Sequence, residues 1–430
     1  MPDFIGLLKQ EAMLAAGCTE PIAVAYATSV AAEQLSLSTA NITDIHLLLS
    51  ANIIKNALGV GIPGTGAVGI EIAAALGAII CKPDKKLELL SDFSSEELLC
   101  AQKLVSDGVV RVEQKQTGEQ LYIEAIIHTD THESARAIIC RDHTNIVRID
   151  HNDELIFDRP VSVNGTRQAG THLTLENIYE FANTVDPQDI SFLLDCVSPN
   201  MRISTEGLSG DYGLKVGKRI AAGASGRSML LNNLTLRIMA AAAAGSDARM
   251  AGCPLSVMSV AGSGNQGIAC TVPVIELAGV LGSSDEELSR ALAISELVVI
   301  HLKEYMGRLS PLCGSGIAGG TGACCGLTYL QGGTLKQIKY AVNNMIGMLQ
   351  GMICDGAKAT CALKIAAGTN AAIQCSTLAL ADSAPSNLDG IIFDDAEDTI
   401  KNIGVLVRDG LRHTDETILS IMLTKQLNQG

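Results

Sequence analysis

The sequence predicts an α+β protein, with a mixed α/β N-terminal domain that contains a small sheet and an all-α C-terminal domain. Two observations support this class. Between residues 109 and 150, short segments rich in β-branched residues alternate with turn residues. Beyond residue 172 the apolar residues recur at helical spacing almost throughout. A polar, loop-like stretch at 159–172 separates the two patterns. We therefore expect one domain at 1–165, whose first helix is a candidate to pack on the second domain, and an all-helical domain at 166–430.

The composition fits tightly packed helices. Hydrophobic residues make up 47% of the 430 residues, yet aromatic residues make up 3% and Trp is absent, so small and aliphatic side chains must fill the core. A net charge of −15 argues against a nucleic-acid or anionic-membrane partner. No apolar run reaches the length of a membrane span, and the N-terminus lacks a signal pattern. Thirteen cysteines in a chain of this size favour a reducing cytoplasm. The apolar composition also suggests a homodimer.

In the N-terminal domain, turn residues and apolar periodicity divide the chain into helices and strands. The predicted helices are 19–34, 68–80 and 94–106, and the predicted strands are 44–50, 109–114, 120–128, 134–140 and 145–150. The short strands predict a small sheet with helices packed on it.

In the C-terminal domain, glycine-rich connectors separate a series of helical segments. The predicted helices are 173–185, 186–197, 214–222, 228–244, 274–282, 285–306, 322–330, 335–352, 358–380 and 415–427. The second of these opens with Asp186 as a predicted N-cap and Pro187 at the first helical position.

Glycine clusters form the pattern GxGxxG three times, starting at Gly64, Gly262 and Gly314. None clearly follows a strand inside a βαβ unit with an acidic residue about 20 positions further on, so we reject a dinucleotide site. Such loops offer backbone N–H groups at helix starts, which suit a carboxylate or a phosphate. Ser263 and Asn265 can also donate hydrogen bonds to a carboxylate, although both are ordinary turn residues.

Cys18 lies just before the predicted helix that begins at Thr19. A helix N-terminus favours a thiolate and lowers the pKa of a nearby thiol. Cys18 is therefore either a reactive or metal-binding cysteine or an ordinary turn residue.

Cys354 and Cys361 are seven residues apart, which would place them on one face of a helix about 10 Å apart. That span is too wide for a single tetrahedral zinc ion but suits an iron–sulfur cluster. Cys313, which opens a glycine-rich loop, is a candidate third ligand, and Cys324 is its rival. Three thiolates would leave one iron open as a Lewis acid. The alternative is that these cysteines are small core residues.

Several motifs, taken together in order and spacing, resemble the L-cysteine desulfidase family, which is related to the iron–sulfur L-serine dehydratases. The motifs are Gly17-Cys-Thr-Glu-Pro21, Gly61-Ile-Pro-Gly-Thr-Gly66, Gly262-Ser-Gly-Asn-Gln-Gly267, Gly351-Met-Ile-Cys-Asp-Gly356 and Cys361-Ala-Leu-Lys364. The resemblance covers nearly the whole chain, from about residue 10 to residue 425. It implies an α/β N-terminal domain and an all-helical catalytic domain with a [4Fe–4S] cluster, held by residues that match Cys313, Cys354 and Cys361. It also places Cys18 near the open iron.

The implied reaction is β-elimination from L-cysteine, giving sulfide, ammonia and pyruvate. Our hypothesis is that the open iron weakens the Cβ–S bond while a base removes the Cα proton, with Cys18 as the base or as a transient iron ligand. The candidates for binding the amino-acid substrate are Thr65, Ser263 and Asn265, with Asn52 and Lys55 nearby.

Three alternatives stay open at this point. An L-serine dehydratase would use the same iron on a hydroxyl group. A pyridoxal-phosphate lyase would use Lys358 or Lys364 as its Schiff base, although nothing around either lysine resembles such a site. A non-catalytic protein could bind or deliver iron–sulfur clusters or sulfide.

Overall fold

The computed structural model describes residues 3–37, 41–160, 173–225 and 234–427. Within these ranges the chain has the mixed α+β class that the sequence predicts, with many helices and a small sheet. The predicted boundary between residues 165 and 166 lies outside the described residues and stays a prediction. The first residues of the helix predicted at 228–244 also lie outside them.

The elements follow one another along the chain as helices and strands of ordinary length. The α-helices are α1 (Phe4–Glu11), α2 (Thr19–Ala32), α3 (Ala51–Ala57), α4 (Ile70–Ile80), α5 (Ser95–Ser106), α6 (Leu175–Thr184), α7 (Val197–Ser209), α8 (Val216–Ser225), α9 (Leu234–Met250), α10 (Gly264–Leu281), α11 (Asp285–Met306), α12 (Gly320–Leu330), α13 (Leu335–Leu349), α14 (Cys361–Leu380), α15 (Ala396–Val405) and α16 (Thr414–Leu427). The strands are β1 (Ala12–Ala16), β2 (Ile42–Leu49), β3 (Val110–Gln114), β4 (Tyr122–Thr129), β5 (Ser134–Cys140), β6 (Ile146–His151), β7 (Glu154–Asp158) and β8 (Ser256–Val260). Pro83–Ser91 and Pro187–Cys196 are 3-10 helices, and Gly314–Gly319 and Leu406–Gly410 are π-helical.

Six strands form one sheet in the order β3-β2-β4-β5-β6-β7. Strands β2 and β3 run parallel, and the other neighbours are antiparallel. Alternate residues of β2, namely Ile45, Leu47 and Leu49, are fully buried and pack with residues of α2. The edge strand β7 was not predicted, because its apolar Leu155 and Ile156 are exposed and do not alternate toward a core.

Residues 3–16 pack with the C-terminal half of the chain. Phe4, Leu7 and Leu8 of α1 belong to a core that also contains residues of α6 and α11, and the Phe4 and Phe181 rings lie 5.0 Å apart. Strand β1 pairs antiparallel with β8, with Ala12 opposite Val260.

Strand β8 corrects the prediction of an entirely helical C-terminal domain. Its five residues are too short to be recognised from their own pattern, and they become a strand because β1 supplies their hydrogen-bond partners from the start of the chain.

Helices in the C-terminal half approach one another closely because small residues lie between them. The alanine run in α9 is buried on all sides. At Gly322 in α12, an added Cβ atom would lie 2.4 Å from the Ser295 carbonyl oxygen of α11, so a side chain would force the helices apart. Across the parts of the chain that the structure describes, none of these helices combines the length and apolarity needed to cross a membrane.

Candidate active site

One cavity, of about 90 Å³, collects functional side chains from both halves of the chain. It lies where the starts of α2 and α10, the end of α11, the π-helical turn and the loop before α14 meet. Sites for drug-sized ligands are several times larger, so a ligand of this cavity would have few atoms. Its charged, thiol and amide lining residues are Cys18, Glu20, Asn56, Arg249, Asn265, Gln266, Lys303, Arg308, Cys313, Cys354, Cys361 and Lys364.

Backbone pairing brings Cys313 and Cys354 together. The Cys313 N–H donates to the Met352 carbonyl over 2.8 Å, and the Cys354 N–H donates to the Pro311 carbonyl over 2.7 Å. These bonds flank an isolated antiparallel bridge between residues 312 and 353. Cys313 also caps the π-helical turn, where its Sγ accepts from the Gly316 N–H over 3.4 Å. Such π-helical turns occur frequently at functional sites.

Cys361 completes the predicted set of three cysteines at the start of α14. Its Sγ accepts a hydrogen bond from the Lys358 N–H over 3.5 Å. The structure therefore gathers Cys313, Cys354 and Cys361 around one cavity. The rival Cys324 is fully buried, lies near the Ala341 carbonyl of α13 and is not part of the lining.

Cys313 and Cys361 are buried thiols whose pKa values are raised, so a bound ligand would decide whether they lose their protons. Burial, and next the neighbouring Cys313, raises the pKa of Cys361 to about 12. Burial and the neighbouring Cys354 also raise the pKa of Cys313, while Lys364 acts in the opposite direction. A ligand that binds these cysteines as thiolates must therefore offset the cost of burying their charge.

The three thiols around the cavity are donors of the kind that hold iron–sulfur clusters. Within the described residues, no group of three His, Cys, Asp or Glu side chains is arranged to hold one ion. A four-iron cluster is larger, so its ligand sulfurs can lie farther apart around it. Lys303 and Lys364 line the same cavity and interact with Cys313 and Cys354, so they would offset thiolate charge there.

Cys18 is a buried thiol at the N-cap of α2, and it lines the cavity beside Glu20. Its Sγ donates to the Glu20 Oε2 over 3.0 Å. Burial, followed by the negative charge of Glu20, raises the pKa of Cys18 well above its ordinary value, and Arg249 opposes this only in part. The prediction of a depressed pKa at the helix N-terminus was therefore wrong, because burial and the carboxylate outweigh the helix dipole.

Glu20 is a site residue that the sequence reasoning missed. Its Oε1 accepts from the Asn56 amide over 2.9 Å. Burial alone would raise the pKa of Glu20, but His143 and the bonds from Cys18 and Asn56 outweigh burial and lower it. The signal was present in the sequence, since Glu20 follows Cys18 within the same first helical turn.

Arg249 was also missed. Its side chain is 2% exposed, and its Nη2 donates to the Gly17 carbonyl over 2.6 Å. Its Nε has no hydrogen-bond partner, and no carboxylate pairs with it among the described residues. An unpaired guanidinium is costly to bury, so this arrangement favours an anionic ligand. The available signal was an arginine at the end of the alanine-rich stretch that forms α9.

Lys303, the third missed residue, is a second buried cation of the cavity. Burial lowers its pKa to about 8, although the neighbouring Cys354 acts in the opposite direction. It lies near the end of α11, in a helix that is otherwise largely apolar on its buried side.

Ser263 and Asn265, two of the residues predicted to bind the substrate, lie in the cavity wall. Ser263 is the N-cap of α10 and accepts from the Gln266 N–H over 3.4 Å. The buried Oδ1 of Asn265 and Oε1 of Gln266 have no hydrogen-bond partner within the described ranges. Unpaired buried acceptors at a cavity are suited to a ligand that carries N–H groups.

Three other predicted residues do not join this cavity. The Thr65 hydroxyl donates to the Ile62 carbonyl over 2.8 Å within its own turn. Asn52 lines a separate cavity near α16. Lys55 donates to Asp415 and to the Cys354 carbonyl. The structure therefore separates Thr65, Asn52 and Lys55 from Ser263 and Asn265.

Comparisons with known proteins point to one family. A family profile described as serine dehydratase alpha chain matches residues 84–420, a range that contains Cys313, Cys354 and Cys361. A protein named UPF0597 protein from Clostridium perfringens (strain SM101 / Type A) is 50% identical over 426 residues, which cover 99% of both chains. Proteins of the same name from Parabacteroides distasonis and Porphyromonas gingivalis are 41% and 40% identical, over 98% of both chains.

Proposed function

We propose, from the premise that this chain belongs to the serine dehydratase alpha chain family, that it is a lyase that acts on L-cysteine. The proposed reaction is β-elimination to sulfide, ammonia and pyruvate. One observation carries the proposal: three thiols, a thiol–carboxylate pair and a buried guanidinium line the same small cavity, and the guanidinium has no carboxylate partner in the part of the chain that the structure describes.

Cys313, Cys354 and Cys361 would hold a [4Fe–4S] cluster. When bound, such a cluster supplies a Lewis acid for the leaving group, because three protein thiolates leave one iron without a protein ligand. Lys303 and Lys364 offset the charge of the thiolates that face them.

Arg249 and Asn265 would bind the backbone groups of the amino acid. The Arg249 guanidinium supplies a positive charge for the substrate carboxylate, and the unpaired Oδ1 of Asn265 accepts from the substrate ammonium. Ser263 contributes a hydroxyl at the start of α10.

Cys18 and Glu20 would together remove the Cα proton of the substrate. Because burial and Glu20 raise the Cys18 pKa and the Glu20 pKa is lowered, the Glu20 carboxylate would accept the Cys18 proton only when a ligand bound in the cavity offsets the cost of the buried thiolate. The resulting Cys18 thiolate would then remove the Cα proton of the substrate. As the Cβ–S bond breaks, the product is aminoacrylate, which tautomerises and loses ammonia in water. This role keeps Cys18 as the base but assigns its activation to Glu20 instead of to the helix dipole.

L-serine is the second candidate substrate, and the description of the matching family favours it. Its β-elimination would use the same residues. Hydroxide is a poorer leaving group than sulfide, so we place L-cysteine first. A non-catalytic iron–sulfur protein would show cluster binding without turnover of either amino acid.

The test is anaerobic reconstitution with iron and sulfide, followed by a visible spectrum and by pyruvate assays on L-cysteine and L-serine side by side. We expect a broad charge-transfer band, with faster pyruvate formation from L-cysteine, accompanied by sulfide. Faster turnover of L-serine would select the dehydratase. A band without turnover would select the non-catalytic alternative, and the lack of any band would reject the cluster site.

A further inference from the structure

Lys55 is one of the most deeply buried cations of the chain, and it links three separate elements. Its side chain is 1% exposed and lies in α3, among the N-terminal residues. Its Nζ donates to Asp415 Oδ1 of α16 over 2.6 Å and to the Cys354 carbonyl oxygen over 3.2 Å. The charge of Lys55 is thus shared between a residue near the C-terminus and the backbone of a proposed cluster ligand.

The loop that follows Cys354 also packs directly on the backbone of α3. Lys358 Nζ donates to the Lys55 carbonyl over 2.9 Å. Gly356 has a φ of +92°, and an added Cβ atom there would lie 2.3 Å from the Lys55 carbonyl oxygen. Position 356 therefore requires glycine, both for its backbone conformation and for this close approach.

The backbone N–H and the carbonyl oxygen of Cys354 are each held by a hydrogen bond, and the two partners come from different parts of the chain. Its N–H donates to the Pro311 carbonyl over 2.7 Å, within the catalytic half of the chain. Its carbonyl accepts from Lys55, which comes from the other half. Asp415 compensates the Lys55 charge, without which the ammonium would be an unpaired buried ion.

We propose that Lys55 and Asp415 form a clamp that positions Cys354 for cluster binding. Lys55 is then a positioning residue, not a substrate-binding one. The function of the clamp rests on the proposed role of Cys354 as a cluster ligand. Its effect on the order of the Cys354 loop does not depend on that role, so the two can be tested separately.

The first test uses the metal-free full-length chain. The rate at which iodoacetamide alkylates Cys354 is measured by peptide mass spectrometry, with the exposed Cys100 as the internal reference. We expect Lys55→Met and Asp415→Asn each to raise this rate about tenfold, because the loop opens more often when the clamp is broken. The double variant Lys55→Met/Asp415→Asn leaves no unpaired buried charge and should show a similar increase.

Glu416→Gln is the matched control. Glu416 neighbours Asp415 in α16, but its ion pair with His413 is at the surface. This variant should alkylate at the wild-type rate. Thermal unfolding of each variant identifies any global loss of structure, and the double variant decides the outcome if a single variant does not fold. Wild-type alkylation rates in the double variant would overturn the clamp.

The second test measures iron content after anaerobic reconstitution and the decay of the visible band in air. The clamp variants should bind less iron or lose the band several-fold faster than the wild type and Glu416→Gln. If the wild type itself takes up no iron, the proposed function fails, while the alkylation rates still decide whether the clamp orders Cys354. If the variants load and hold iron like the wild type, the role of the clamp in cluster binding is rejected.

Discussion

The Cys18 thiol donates to the Glu20 carboxylate over 3.0 Å within the first turn of α2. A proton donor and its acceptor are therefore two residues apart on one helix, at the wall of the cavity that also holds the three other thiols. Burial keeps the proton on sulfur, and Glu20 is held as the ionised partner by its neighbours. Because both groups line the cavity, proton transfer between them can be coupled to a bound ligand.

Replacing Glu20 by Gln should lower kcat on L-cysteine by about 10²- to 10³-fold, since the amide can no longer accept the Cys18 proton. Cluster content should stay at the wild-type level, which the visible spectrum checks. Glu33→Gln, at the exposed C-terminal end of the same helix, is the control and should leave kcat unchanged. Wild-type turnover by Glu20→Gln would remove Glu20 from the mechanism.

Replacing Arg249 by Met should raise KM for L-cysteine by about tenfold to a hundredfold, because a charge-assisted hydrogen bond to the carboxylate is lost. Steady-state kinetics on the reconstituted protein give this value. Arg237→Met is a control on the same helix, where Arg237 is exposed and pairs with Glu276.

A ligand without a carboxylate separates recognition from a structural effect of Arg249. Cysteamine, used as a competitive inhibitor, should bind the Arg249→Met variant and the wild type equally well. An equal loss of affinity for cysteamine and L-cysteine would show that the variant disturbs the cavity as a whole.

Replacing Cys354 by Ala should abolish the brown colour and turnover together, since one of the three proposed cluster ligands is removed. Cys324→Ala should keep both, because Cys324 lies in the core beside α13 and not in the cavity. The cavity left by Cys324→Ala should lower the free energy of unfolding by about 1 kcal/mol. A colourless but fully active Cys354→Ala variant would refute the cluster site.

Glu296 should make stability depend on pH. It is completely buried in α11, and neither carboxylate oxygen has a hydrogen-bond partner among the residues that the structure describes. Burial raises its pKa to about 8, from 4.5 for the ordinary group. Between these values the folded protein holds a proton that the unfolded chain releases. The Glu296 contribution to stability is therefore complete below the unfolded pKa and is lost as pH rises through the folded pKa.

The Glu296→Gln variant should remove this dependence. Relative to the variant, the wild-type free energy of unfolding should fall by about 1.4 kcal/mol per pH unit between the two pKa values. Urea unfolding at several pH values measures the difference. Glu286→Gln, on the same helix but exposed and paired with Arg290, should keep the wild-type dependence. Parallel pH profiles for wild type and Glu296→Gln would show that Glu296 is already ionised in the folded protein.

Local sequence pattern predicted many of the elements whose apolar residues face a core, but it left out α1, α3, α7 and α15. The helix at 285–306 has the same bounds as α11, and the small sheet contains the predicted strands, although their ends shift by a few residues. Pattern failed at β1, β7 and β8, where strand formation depends on a distant partner or on an exposed sheet edge.

The residues of the candidate site divide in the same way, into those that local sequence identifies and those that depend on three-dimensional packing. Chemistry and motif order led to Cys18, Cys313, Cys354 and Cys361, and the structure brings all four to one cavity. The cations could not be assigned in this way, because their function depends on burial and pairing. Lys55 is paired with Asp415, whereas Arg249 lacks a carboxylate partner among the described residues, and only three-dimensional packing distinguishes the two cases.

The placement of α1 and β1 has a consequence for synthesis on the ribosome. Phe4 and Ala12 leave the exit tunnel well before their partners in α6 and β8 are made. The six-stranded sheet can form in the interval, because its strands are close to one another in the chain. The N-terminal segment must therefore stay unpaired until β8 emerges, and a nascent chain stalled before residue 256 would expose the apolar face of α1 to chaperones.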